Sequence, residues 1–208
     1  MAKPSTTEQK SYHHGDLKQA LLEETARILR EEGEAALSLR RLASNLGVSR
    51  TAPYNHFKNK EALLSAVAEE GFRRFEEAMK AARRRHKNSS GKSLMRASVN
   101  AYVKFALENQ AYYDLMYSSK SWRTEIKTES LATTARQTLR NEIERMQRAQ
   151  ERGLISRHVD VAEFGRIYWG TLHGISRLTL DGVYSDPKSL KKFCNATADM
   201  LWLQLDPG

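Results

Sequence analysis

The sequence has almost no cysteine, no long apolar run and no recognisable strand pattern. Its single cysteine, Cys194, excludes an intramolecular disulfide and a zinc site built on several thiolates. No stretch approaches the roughly 18 consecutive apolar residues that a membrane-spanning helix needs. Sustained apolar–polar alternation and hairpin dipeptides between β-branched runs are also missing. These absences favour an all-α protein.

The first residues, MAKPSTTEQKSYHHGD, are polar and lack the apolar core of a secretory signal. We therefore expect a cytoplasmic protein in which residues 1–14 form a flexible arm. Adjacent His13 and His14 suggest at most a weak metal site, and a solvated arm is the preferred interpretation. No metal or cofactor is expected.

Acidic residues are missing from one segment of an otherwise mixed chain. The chain carries a net charge of +9, yet residues 35–60 contain no Asp or Glu. The cations in this window are Arg40, Arg41, Arg50, Lys58 and Lys60. Because Lys and Arg displace condensed counterions from phosphates, the window suits a surface that faces nucleic acid.

Apolar residues recur at helical spacing through most of the chain. We expect a first helix from Asp16, as its N-cap, to about Gly33 and a second from Ser38 to Gly47. A third helix, capped by Ser49, is expected over about 50–57, and a fourth from about Lys60. Further helices are predicted at about 93–109, 111–119, 125–151, 160–181 and 186–204.

The segment from Ala43 to Ser49 has the features of a helix-turn-helix. A small residue, Ala43, permits close helix packing, and Gly47 four residues later permits a turn with positive φ. Val48 would plug the turn, and Ser49 would begin a recognition helix that enters the major groove. An ordinary helical hairpin with a glycine turn is the alternative.

The run LSLRRLASNLGVSRTAPYNHFKNKEALLSAVAEE resembles the DNA-binding domain of the tetracycline-repressor (TetR) family. The resemblance covers about residues 15–70 and rests on these positions: Gly47, Val48, Ser49, Tyr54, Phe57, Lys58, Lys60 and Glu61. Two later segments, Glu108–Met116 and Tyr168–Gly174, resemble the Trp/His-Gly class of regulatory domains in that family. The resemblance implies a transcriptional regulator with a helix-turn-helix domain over 15–60, a connecting helix over 61–87 and a ligand-binding and dimerisation domain over 93–205.

The resemblance also implies DNA contacts that the chemistry of the side chains supports. Arg50 suits guanine, Asn55 suits adenine, and Ala52 or the Thr51 methyl group suits thymine. Phosphate contacts are implied for Tyr54, Lys58 and Lys60. The predicted DNA-binding residues are Ser38, Arg40, Arg41, Ser49, Arg50, Thr51, Ala52, Tyr54, Asn55, His56, Lys58 and Lys60. For Arg40 and Arg41, a solvated helix face is the alternative.

The second half of the chain contains aromatic residues and methionines that suit an apolar cavity for a small-molecule effector. The predicted ligand-binding residues are Phe105, Tyr113, Met116, Tyr117, Trp122, Trp169 and His173. For each of them, a place in the core is the alternative. The last two helices are expected to form a homodimer, through Tyr168, Leu172 and Ile175 on one and Leu190, Phe193, Ala196, Thr197, Met200 and Leu201 on the other.

The expected function is therefore that of a repressor which a small molecule releases from double-stranded operator DNA. A two-fold dimer would place its recognition helices about 34 Å apart, or a multiple of that distance. An enzyme is the main alternative, but the sequence contains no HExxH motif and no marked nucleophile. A non-specific architectural DNA binder and an activator also remain open.

Overall fold

The computed structural model describes residues 14–118 and 128–208, and this part of the chain is helical. Its α-helices are α1 (His14–Glu31), α2 (Leu39–Asn45), α3 (Lys60–Arg85), α4 (Gly91–Glu108), α5 (Gln110–Tyr117), α6 (Glu129–Glu151), α7 (Val161–Leu180) and α8 (Pro187–Leu205). Two short 3₁₀-helices, Glu34–Ala36 and Ala52–Asn55, lie between α1 and α3. The all-α prediction is confirmed. No helix in the described ranges is long and apolar enough to cross a bilayer.

The chain divides into two compact units after Leu63, so that the first turn of α3 belongs to the first unit and the rest to the second. The first unit is built on α1, α2 and the start of α3. Its core side chains include Leu21, Ile28, Leu42 and Leu63, none of which is exposed to solvent. The domain limits expected from the sequence remain a prediction.

Helix α1 begins earlier than the sequence indicated. Asp16 lies inside the helix and is not its N-cap. The helix ends at Glu31, and the amide of Gly33 donates to the carbonyl of Ile28 at 3.1 Å. Gly33 has a φ of +81°, so the expected glycine at the end of this helix is confirmed.

The second unit surrounds α4, which packs against α7 and α8. Val99, Tyr102, Val103, Phe105 and Ala106 of α4 are all buried. The guanidinium of Arg96 holds the Asp199 carboxylate at 2.5–2.6 Å and so joins α4 to α8. The expected limits of α4, α5, α7 and α8 lie within two residues of the observed ones, whereas α6 begins at Glu129, four residues after its expected start.

The predicted dimer faces of α7 and α8 are partly wrong. Leu172 and Ile175 on α7, and Thr197 and Leu201 on α8, are buried within the chain itself. They therefore cannot form an interface between two copies without unfolding the core. The large apolar side chains that are exposed on these helices are Ile167, Trp169, Leu178, Phe193, Met200 and Leu203. Periodicity predicted the helices correctly but not the face that each one buries.

A close contact fixes the start of α4 against α8. A Cβ atom added at Gly91 would overlap the Trp202 ring, whereas one added at Gly165 on α7 would meet only Ile143, at 3.9 Å. The first position therefore requires glycine for space, and the second does not.

We expect the same substitution at these two glycines to have opposite effects. Gly91→Ala should lower the free energy of unfolding by about 1–3 kcal/mol, because the added methyl overpacks the Trp202 contact. Gly165→Ala should raise it by up to about 1 kcal/mol through helix propensity. Urea denaturation measures both, and a stabilising Gly91→Ala would contradict the observed packing.

Candidate DNA interface and effector site

The turn between α2 and the following segment has the geometry that the sequence predicted. Ser38 N-caps α2 by accepting a hydrogen bond from the Arg41 amide at 3.1 Å. Gly47 has a φ of +66°, and the Val48 amide then donates to the Ala43 carbonyl at 3.0 Å. Ala43 is fully buried, as a residue at a close helix crossing should be. The small residue and the glycine therefore serve the turn as expected.

The second member of the motif is not the α-helix expected over 50–57. It contains a 3₁₀-helix, Ala52–Asn55, with i→i−3 bonds such as the Ala52 amide to the Ser49 carbonyl at 3.0 Å. Pro53 lacks an N–H group and so cannot donate the α-helical bond to that carbonyl. Ser49 is not a side-chain N-cap either, because its hydroxyl lies 3.2 Å from the Thr51 hydroxyl.

This segment buries one side and exposes the other. Pro53 and Phe57 are buried, whereas Arg50, Tyr54 and Asn55 are exposed. Ser49 and Thr51 are also exposed, and Ala52 and His56 are half-buried. A surface of arginine, threonine, tyrosine and asparagine offers hydrogen-bond donors, acceptors and a methyl group at one place. That combination suits the edges of base pairs.

The five cations of the acid-free window fall into two groups. Arg40, Arg50 and Lys58 are exposed and form no ion pair or side-chain hydrogen bond within the described residues. Arg41 instead pairs with Glu32, with one guanidinium nitrogen 2.7 Å from each carboxylate oxygen. The Lys60 ammonium donates to the Glu34 carbonyl at 2.7 Å. Three cations are thus left to face a polyanion.

A polar aromatic cluster occupies the second unit, where α4, α5 and α7 meet. The Tyr113 hydroxyl lies 2.8 Å from Nδ1 of His173 and 3.3 Å from the Tyr102 hydroxyl. The Tyr117 ring packs 4.9 Å from the rings of both Tyr113 and His173, and 5.7 Å from Trp169. We call these five residues the Tyr–His cluster.

The Tyr–His cluster contains four of the predicted ligand-binding residues: Tyr113, Tyr117, Trp169 and His173. Phe105 and Met116 are buried in the same core. Trp122 lies outside the described residues. Their roles in ligand binding remain predictions.

The ionisable groups of the Tyr–His cluster are held in their neutral forms. Burial raises the pKa of Tyr102, Tyr113 and Tyr117 above the ordinary value for tyrosine. Burial, and then the positive charge of Arg177, lower the pKa of His173 below 6.5. Neutral His173 has one ring nitrogen that donates and one that accepts, so either tautomer can form the hydrogen bond between Nδ1 and the Tyr113 hydroxyl.

Two polar members of this region, Tyr102 and Ser176, are not among the predicted ligand-binding residues. Ser176 is fully buried, and its hydroxyl makes no hydrogen bond of normal geometry within the described residues, although Tyr113 lies close to it. A buried hydroxyl without a partner costs free energy that a bound polar group would recover. Ser176 follows His173 by three positions on α7, so helical spacing was the available signal.

Comparison with known proteins gives a consistent result for both units. The description "Bacterial regulatory proteins, tetR family" fits residues 21–67, and "Tetracyclin repressor-like, C-terminal domain" fits residues 95–201. The class C tetracycline repressor protein of Escherichia coli is 46% identical over 52 residues, which are 25% of this chain and 24% of that protein. The chain thus matches about a quarter of the length of that curated relative.

Solved structures resemble most of the chain. A protein of unknown function from a Rhodococcus species is 30% identical, with a TM-score of 0.79 over 95% of this chain and 99% of that one. The TetR family transcriptional regulator PfmR from Thermus thermophilus shares the fold, at 24% identity and a TM-score of 0.63 over 87% and 96% of the two chains.

The helix-turn-helix and the helical second unit define a DNA-binding transcription regulator. The chain belongs to the tetR family of bacterial regulatory proteins. The finer assignment to the Trp/His-Gly class stays a prediction.

The neutral state of His173 predicts a specific pH dependence of stability. The folded chain disfavours the imidazolium, so the unfolded chain binds more protons as the pH falls through and below about 6.5. The contribution of neutral His173 is therefore complete above that pH and is lost as the pH decreases. We expect His173→Gln to flatten the decline in unfolding free energy between about pH 7 and pH 5.

Tyr113→Phe is the matched control, because it removes the hydroxyl but keeps the ring that buries His173. It should retain the wild-type slope if burial is the main cause of the lowered pKa. Urea titrations over this pH range measure all three proteins. Parallel profiles for wild type and His173→Gln would contradict the assignment.

Proposed function

We propose that this protein is a repressor that binds a near-palindromic operator as a homodimer and that a small molecule releases it. The observation that carries the proposal is the group of exposed cations Arg40, Arg50 and Lys58 beside the exposed side of the 3₁₀-helix. Protein without an effector then blocks transcription. We further propose that it works in the cytoplasm and has no catalytic activity.

The DNA contacts follow from the chemistry of the exposed side chains. Arg50 and Asn55 contact guanine and adenine edges, while Thr51 and Ala52 contact thymine methyl groups. Ser49 and His56 lie beside this surface and complete it. Tyr54 and Lys58 contact phosphates, together with Arg40 and Ser38, whose hydroxyl proton remains available to donate after its oxygen has capped α2.

The dimer interface is proposed on the exposed stripes of α7 and α8. Phe193, Ala196, Met200 and Leu203 recur on α8 at intervals of three and four residues, and all are exposed. On α7, Ile167 and Leu178 flank Gly170 and Gly174, where an added Cβ would meet nothing within 4 Å. An apolar stripe with small residues at its centre permits close approach of a second copy.

The effector site is proposed at the Tyr–His cluster, with Phe105, Met116 and Trp122 as further lining. Its hydroxyls, its imidazole and the Ser176 hydroxyl offer hydrogen bonds without net charge, which favours an uncharged ligand with a few polar atoms. Arg177 adds no free charge, because it pairs with Asp114 at 2.6 Å and with Asp181 at 2.8 Å. We propose binding rather than catalysis here, because the Ser176 hydroxyl makes no hydrogen bond to His173, the base that would have to activate it as a nucleophile.

Release requires that the effector bind one conformation of the dimer better than the other. The ligand shifts the equilibrium only by the difference between its two affinities. We propose that the favoured conformation changes the spacing of the two DNA-reading surfaces, so that they no longer fit successive major grooves.

Selection from randomised duplexes tests the DNA-binding proposal. We expect an inverted repeat whose half-sites lie about 10 base pairs apart, or a multiple of that distance. Arg50→Ala should weaken binding to the selected duplex about 5- to 150-fold and relax selection at one position of each half-site. Lys58→Ala is the matched control: it should weaken binding to all duplexes alike and reduce the salt slope by about 0.9 per chain.

Fluorescence anisotropy at several KCl concentrations measures both variants. Equal affinity of the wild type for every duplex would instead indicate an architectural DNA binder.

A substitution on α8 tests the dimer. Met200→Glu should shift the protein from dimer to monomer in analytical ultracentrifugation, because it places a charge in the centre of a desolvated apolar stripe. Met200→Leu preserves the apolar surface and should remain dimeric. A dimer of undiminished stability with Met200→Glu would place the interface elsewhere.

A further inference from the structure

Two of the cations in the acid-free window bind the same short segment, residues 32–36. Arg41 on α2 holds the Glu32 carboxylate, and its second guanidinium nitrogen donates to the Ala36 carbonyl at 3.3 Å. Lys60, the first residue of α3, donates to the Glu34 carbonyl at 2.7 Å. The connection between α1 and α2 is thus held from both sides. We call these contacts of Arg41 and Lys60 with residues 32–36 the clamp.

We propose that Arg41 and Lys60 are positioning residues, which act on DNA through the clamp rather than as phosphate ligands. This inference rests on the proposed DNA binding and replaces the direct DNA contacts that the sequence implied for these two residues. The DNA-facing cations are then Arg40, Arg50 and Lys58.

The partners of the clamp explain why these two cations differ from their neighbours. Glu32 and Glu34 lie just before the acid-free window, and each supplies an acceptor to one of the two cations. The Glu34 carboxylate also lies 3.9 Å from the Lys60 ammonium. A cation already paired with a carboxylate gains less from a phosphate, because it must first give up that partner.

The clamp also lies next to two of the DNA-facing residues, so that it can fix their positions. Arg41 follows Arg40 at the start of α2, and Lys60 follows Lys58 by two positions at the start of α3. The other end of α2 is held by Asn45, whose amide donates to the Glu24 carboxylate on α1 at 2.6 Å. Leu42 and Ala43 hold α2 in the core in either case, but losing the clamp leaves its polar contacts at one end only. The separation of Arg40 and Lys58 is then less tightly fixed.

The test uses the full-length protein and the duplex obtained by selection. If the clamp only positions residues, Arg41→Ala weakens binding about fivefold or more, while the slope of log affinity against log salt concentration stays that of the wild type. If Arg41 binds phosphate, the slope falls by about 0.9 per chain. Arg40→Ala is the reference variant that should show this decrease.

For Glu32→Gln, a positioning role and a phosphate-binding role of Arg41 predict changes in DNA affinity of opposite sign. Positioning predicts weaker binding, because Arg41 loses its partner. A phosphate-binding Arg41 would be released by the same change, and affinity would stay equal or rise. Glu31→Gln is the matched control, since it removes one negative charge from the adjacent residue, whose partners are Arg27 and Arg30. It should not weaken binding.

Lys60→Met completes the test and should behave like Arg41→Ala. Each variant is assayed below its unfolding transition, and the active fraction is determined by titration, so that loss of folded protein is not mistaken for loss of affinity. A reduced salt slope for Arg41→Ala, or unchanged affinity for Arg41→Ala and Glu32→Gln, overturns the inference. A wild-type protein without sequence preference would instead refute the proposed function.

Discussion

The tight reversal at Gly47 is the constraint on which the DNA-facing surface depends. The chain leaves α2 with a positive φ and returns a hydrogen bond from Val48 to Ala43 within five residues. Burial of Pro53 and Phe57 then fixes which side of the next segment faces the core. The opposite side, with Arg50, Tyr54 and Asn55, is exposed as a consequence. The exposure of the DNA-facing side chains therefore depends on how the core of the first unit is packed.

Which cations of the first unit are free to meet DNA depends on their ion pairs as much as on the number of charged residues. A window of 26 residues without Asp or Glu suggests five free cations from Ala35 to Lys60. Acceptors just outside the window engage Arg41 and Lys60, and three cations have no ion pair with any residue that the structure describes. Surface ion pairs of this kind contribute little to stability. We propose that the ion pairs of Arg41 and Lys60 matter because they fix the positions of the neighbouring DNA-facing residues.

Local features of the fold could be predicted from the sequence, because short-range chemistry determines them. The Ser38 cap, the Gly47 turn and the limits of α4, α7 and α8 follow from side-chain type and spacing. The 3₁₀ geometry around Pro53 was missed, although the absent N–H group of proline was the available signal. The face that α7 and α8 bury, and the partners of Arg41 and Lys60, depend on contacts between distant residues. No local pattern reveals such contacts.

The Tyr–His cluster of the second unit also depends on contacts that the sequence does not reveal. Four of its residues were predicted to bind a ligand, but the contacts of Tyr102 and the position of Ser176 emerge only once α4, α5 and α7 are placed together. The cluster is neutral because burial acts on each ionisable group. These neutral polar groups, with one hydroxyl that lacks a normal hydrogen bond, are the reason why the proposed effector is uncharged.

Affinity cleavage from Asn55 tests the central claim most directly. An iron chelate attached to Asn55→Cys can be placed selectively, because the native Cys194 is buried. If the exposed side of the 3₁₀-helix enters the duplex, cleavage of the selected operator should concentrate within each half-site. The same chelate at Glu31→Cys, on the acidic end of α1, should give a weaker and different pattern. Both labelled proteins must first be shown to bind the operator. Cleavage from position 55 of the bound protein that is absent, or no stronger than from position 31, would contradict the account.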